Sequence, residues 1–121
     1  EPNHPELAVR AAIGMMQRLK RLMEDFEKDG LPVFDIGIGI HTGLATVGNM
    51  GSQKRFDYTV IGDCVNLASR LESLNKEYKT HIIISESTEK YLPPDISRRF
   101  LGETTVKGKT VPTKIFEVYG Y

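Results

Sequence analysis

The chain has 121 residues with 16 basic and 16 acidic side chains, no net charge, and 40% hydrophobic residues. That describes one ordinary globular unit, long enough for a core without disulfides, and a single Cys64 excludes an internal bridge and points to a reducing compartment. Balanced charge argues against a dedicated nucleic-acid binder, and no apolar run approaches the ~20 residues of a membrane span. The N-terminus lacks the basic start and apolar core of a signal peptide, and its loop-like entry without Met suggests a piece of something longer.

Over residues 5–29, Leu7, Ala11, Met15, Leu19, Leu22 or Met23, and Phe26 recur every three or four positions, which predicts an amphipathic helix with that stripe buried in the core. Pro5 suits its first turn, and Gly30 with Pro32 stops it. Period two over residues 33–41 predicts a strand, with Gly37 and Gly39 on one face inviting close approach of another backbone. Residues 44–48 read as a return strand, 49–55 as a polar hairpin tip, and 56–61 as another strand rich in aromatic and β-branched side chains.

Gly62 and Asp63 are expected to open a second helix, with Asp63 as N-cap and Cys64, Leu67, Ala68, Leu71 and Leu74 buried. A short strand over 81–84 follows, then a short helix capped by the hydroxyls of Ser85, Ser87 or Thr88 and ending before Pro93. Two strands, 99–106 and 111–119, close the chain around the turn Lys107-Gly108-Lys109. No repeat or second domain is visible.

Asn66 and Arg70 stand four residues apart, on a helical face away from the apolar stripe. A carboxamide and a guanidinium near a helix start could receive an anion, but spacing alone leaves this open against a solvated polar face shared with Ser73 and Glu77. Lys107 and Lys109 divide in the same way between a phosphate contact and a solubilising tip. The glycines from 37 to 43 miss the G-x-G-x-x-G pattern, and His4, His41, His81 and Cys64 show no metal-ligand spacing. Asp35, Asp57 and Asp63 read as isolated acids.

The run Ile-Gly-Ile-Gly-Ile-His-Thr-Gly over 36–43, Val-Gly-Asn-Met-Gly over 47–51, and Tyr-Thr-Val-Ile-Gly-Asp-Cys-Val-Asn-Leu-Ala-Ser-Arg-Leu-Glu-Ser over 58–73 resembles the class III nucleotide cyclase catalytic domain. The likeness continues in weaker form through Val-Lys-Gly-Lys at 106–109 to Tyr119. It implies a ferredoxin-like α/β (α+β) domain, with helices packed on a mostly antiparallel sheet. Residues 1–121 would be its C-terminal portion, without the N-terminal strands and helices.

By the same resemblance, Asn66 positions the ribose and Arg70 stabilises charge on phosphorus. Lys107, or less securely Lys109, holds the triphosphate. Thr59, seven residues before Asn66, occupies the base-selecting position and favours ATP over GTP; a polar site left unpaired by the wrong base costs ~1–3 kcal/mol. Residues 49–56 match an arm that embraces the partner in a head-to-tail dimer, expected to be a homodimer. The family's Mg2+ or Mn2+ ligands have no counterpart in this chain and are expected upstream, so no metal ligand is assigned here.

The implied activity is conversion of ATP to 3',5'-cyclic AMP and pyrophosphate by the complete dimer, with the isolated segment inactive. The alternatives are a guanylate cyclase and a non-catalytic cyclase-like dimerisation or regulatory domain. The expected location is cytoplasmic, including the cytosolic part of a membrane-attached protein, with no nucleic-acid partner and no membrane contact from this segment.

Overall fold

The computed structural model describes residues 3–43, 54–105 and 111–121, and for residues 54–64 it describes the backbone alone. The elements are α1 (His4–Lys28), β1 (Ile38–Ile40), α2 (Lys54–Tyr78), β2 (Ile82–Ser85), α3 (Glu86–Glu89), β3 (Arg98–Thr104) and β4 (Thr113–Val118). The sheet order is β1-β2-β4-β3, with β1 parallel to β2 and the other two pairings antiparallel. This is the expected mixed α/β class with a mostly antiparallel sheet. A parallel pair needs a crossover connection, and α2 lies in the one between β1 and β2.

The sheet is covered on both faces, and β2 shows why. Ile82, Ile83 and Ile84 are all fully buried, and successive side chains of a strand point to opposite faces. Ile82 and Ile84 join Val9, Ala12 and Met16 of α1 and Val118 of β4. Ile83 joins Leu67, Leu71 and Leu74 of α2 and Ile115 of β4. Full burial of one such side chain stabilises the fold by ~1.5–3 kcal/mol.

The buried face of α1 follows the predicted stripe only in the second half of the helix, where Met23 is buried and Leu19 packs against the core. Val9, Ala12, Met16 and Met23 are buried, whereas Leu7 and Met15 remain 48% and 52% exposed. Residues 7, 11 and 15 and residues 9, 12 and 16 both have helical spacing. The phase is chosen by the fit of Val9 and Ala12 against the isoleucines of β2, which periodicity does not contain. The helix ends as expected, with Gly30 in the left-handed region at φ 73°.

The predicted strand over 33–41 contracts to β1. Before Ile38, Asp35 Oδ1 accepts from Ile36 N at 3.0 Å, a local bond that competes with strand pairing, and Asp35 Oδ2 meets His81 Nε2 at 2.7 Å. The parallel ladder is entered where Ile38 N donates to His81 O at 2.8 Å.

The two glycines do mark a close approach. A Cβ on Gly37 would lie 3.0 Å from Asn75 Nδ2, and one on Gly39 would lie 2.5 Å from Ala68 O and press still harder on Glu72 N. The helix α2 therefore lies directly on β1. Buried Asn75 secures the contact, donating through Nδ2 to Ile38 O at 3.1 Å and accepting through Oδ1 from Thr80 Oγ1 at 2.7 Å.

The start of α2 corrects a second expectation. Residues 56–61 are helical rather than a strand, and Asp63 lies inside the helix rather than capping it. Phe56, Val60 and Cys64 continue in sequence the spacing of Leu67, Leu71 and Leu74, so the helical period extends upstream. Gly62, at ~1 kcal/mol against alanine, does not stop it. The expected return strand over 44–48 and the turn at 107–109 lie outside the described residues. Of the arm over 49–56, the described part, from Lys54, belongs to α2.

Candidate active site on α2 and the end of β3

Leu67, Leu71 and Leu74 fix the rotation of α2 by burying one face of it. Asn66 and Arg70 are exposed, one turn apart and separated by about 6 Å of helix rise. The sequence reading of that face holds, while one of its supports does not. Because α2 begins at Lys54, Asn66 lies about three turns inside the helix, beyond the unpaired amides of the N-terminus. Any anion at this face would be met by side chains rather than by a helix end.

Arg70 Nε donates to Thr104 Oγ1, at the end of β3, over 3.4 Å. Ser73 Oγ donates to Arg70 O at 2.9 Å. Of the other sequence-predicted site residues, Thr59 lies in α2 but its side chain is outside the description, and Lys107 and Lys109 lie outside the described residues altogether. A cleft of about 560 Å³ opens elsewhere, between α1 and residues 33–35, and neither Asn66 nor Arg70 lines it. Among the described residues both side chains are exposed.

Among the described residues no three His, Cys, Asp or Glu side chains converge on a point where a metal ion could sit. Asp35 is engaged by the His81 ring. The described acids therefore do not fit a paired metal site, and no chemistry is routed through one held by them. Among the described residues, no helix is long and apolar enough to cross a membrane.

A hydroxyl cluster that sequence reasoning missed lies where β1 ends. Ser85 Oγ is 2.8 Å from His41 Nδ1 and 2.9 Å from Ser87 Oγ, and Ser87 Oγ donates to Thr42 O at 2.7 Å. Thr42 and Thr88 hydroxyls meet at 2.8 Å. The residues expected to cap α3 instead tie it to the chain leaving β1, and Ser85 makes no capping bond.

Burial lowers the His41 pKa below the ordinary imidazole value, so its neutral form is favoured in the fold. The unfolded chain then takes up this proton at higher pH than the folded one. The contribution is fully present above pH ~6.5 and is lost as pH falls through the lower folded value. Thermal melts at pH 7.5 and 5.5 are expected to show a smaller loss of stability in His41→Asn than in the parent. Equal losses would remove His41 from the acid sensitivity.

Residues 1–119 match the family model described as the adenylate and guanylate cyclase catalytic domain. The chain is 38% identical over 120 residues to adenylate cyclase 1 of Rhizobium meliloti (strain 1021), covering 99% of this chain and 18% of that protein. It is 40% identical over 125 residues to the adenylate cyclase of Anabaena cylindrica, covering 98% of this chain and 25% of that protein. The solved structure of the guanylyl cyclase Cya2 superimposes with a TM-score of 0.69 at 33% identity, covering 99% of this chain and 60% of that one. A bacterial light-regulated adenylyl cyclase shares the fold at the same TM-score and 23% identity, covering 98% of this chain and 34% of its own. With its matched length, sheet and helix arrangement, the chain belongs to the adenylate and guanylate cyclase catalytic domain family.

Proposed function

We propose that the chain is the C-terminal portion of an adenylate cyclase catalytic domain, residues 1–121, which in its complete form converts ATP to 3',5'-cyclic AMP and pyrophosphate. The observation that carries this reading is the exposed Asn66 and Arg70 pair, one turn apart on α2 and flanking its buried leucines. In the reaction the 3'-oxygen bonds to the α-phosphorus, the bond to pyrophosphate breaks, and the 3'-hydroxyl proton is released. Asn66 orients the ribose. Arg70 meets the charge that builds on the phosphoryl oxygens, where positioning and electrostatics supply most of the catalysis.

Lys107 holds the triphosphate, with Lys109 beside it in sequence, and Thr59 reads the base. Among the described residues both Asn66 and Arg70 are exposed, which suits a composite site completed by a second cyclase domain in a head-to-tail homodimer. The Mg2+ or Mn2+ ions belong to residues other than the described ones. The cytoplasmic assignment follows from the reducing compartment read from Cys64 and from a nucleoside triphosphate substrate.

The test supplies the full-length protein and the 121-residue segment with ATP or GTP and Mn2+. Cyclic AMP formation by the full-length protein alone is expected. Robust turnover by the segment would overturn the assignment of metal ligands elsewhere. A preference for GTP would establish the second reading, a guanylate cyclase, which the 33% identity to a solved guanylyl cyclase favours. Thr59→Cys is expected to shift the ratio of ATP to GTP turnover toward GTP, measured as kcat/KM for each.

A further inference from the structure

We infer that Thr104 is a positioning residue for Arg70, its hydroxyl aiming the guanidinium at the reacting phosphate. The inference rests on the catalytic reading of Arg70 given above. Arg70 stands exposed on α2, and a free arginine side chain carries ~2 kcal/mol of rotamer entropy to be lost on engaging an anion. Thr104 is fixed in place: it is 8% exposed and pairs with Thr113 across the β3–β4 ladder. The 3.4 Å bond from Arg70 Nε to Thr104 Oγ1 joins the two elements across the domain surface.

The contact differs from those of the arginines that are paired with acids. Arg10, Arg98 and Arg99 each face a carboxylate, at 2.7, 3.1 and 2.6 Å. Such a partner holds the side chain and also offsets its charge. Thr104 offers a neutral acceptor and takes the one N–H nearest the stem. Among the described residues, neither terminal nitrogen has a hydrogen-bond partner, so four N–H donors in a rigid fork are left for phosphate oxygens and no described carboxylate offsets the charge. Direction is supplied without competition.

The test is a double-mutant cycle in the full-length protein with ATP and Mn2+, reading kcat and KM. Thr104→Val, which keeps the branched shape and removes the acceptor, is expected to lower kcat about 3- to 10-fold with KM unchanged. Thr104→Ser is expected to retain the parent kcat. In an Arg70→Lys background, which lacks the Nε–H, Thr104→Val is expected to change nothing further. Should Thr104→Val not fold, the step from Thr104→Ser to Thr104→Ala removes the same hydroxyl and is read in the same cycle. An unchanged kcat, an equal loss in both Arg70 backgrounds, or a Ser variant as impaired as Val would overturn the inference. If Arg70→Lys itself leaves kcat unchanged, the catalytic reading of Arg70 fails, and that outcome is separate from any result at Thr104.

Discussion

Replacing Arg70 with alanine in the full-length protein is expected to lower kcat for cyclic AMP formation by about 10²–10³-fold while KM for ATP changes little. The magnitude is that of removing a preorganised donor aimed at charge that develops in the transition state. Arg70 meets the requirements for such a donor. It is permanently charged, it stands on a helix whose rotation is set by buried Leu67, Leu71 and Leu74, and its one side-chain partner among the described residues is a neutral hydroxyl. An interaction made equally with bound ATP would raise KM instead and leave kcat intact. Because Arg70 is exposed, the melting temperature should barely move, so the kinetic loss is not a folding loss. A kcat within a few-fold of the parent would remove Arg70 from the mechanism.

What the sequence discloses about this site depends on how local each feature is. The face shared by Asn66 and Arg70 is legible because helical spacing and the leucine stripe lie within one segment. The glycines of β1 are legible because two bare positions on one strand face have few uses besides close packing. The phase of α1 is not, since Leu7, Ala11, Met15 and Val9, Ala12, Met16 satisfy the same period and only the sheet chooses between them. The start of α2 is misread because aromatic and β-branched residues over 56–61 favour a strand by propensity, while their four-residue spacing equally continues the helix. Thr104, Asn75 and the hydroxyls around His41 join elements through partners 34 to 46 residues away, which no local pattern records.

Gly39→Ala is the substitution expected to damage the fold most for its size. Its Cβ would sit 2.5 Å from Ala68 O and closer still to Glu72 N, and both atoms are helix backbone that no rotamer change can move. Relief requires α2 to lift off β1, at a cost of ~1–3 kcal/mol for an overpacked contact. That shift would also strain the Asn75 bond to Ile38 O and change how Ile83 meets Leu71. Ala68 and Glu72 flank Arg70 in sequence, so the displacement falls on the turn that carries the proposed catalytic side chain. Both stability and kcat are therefore expected to fall. Gly14→Ala is the matched control, because a Cβ there meets nothing within 4 Å and alanine favours the helix by ~1 kcal/mol. Thermal melts should rank Gly14→Ala at or above the parent and Gly39→Ala well below it. A Gly39→Ala protein as stable as the parent would mean that α2 does not rest on β1 as described.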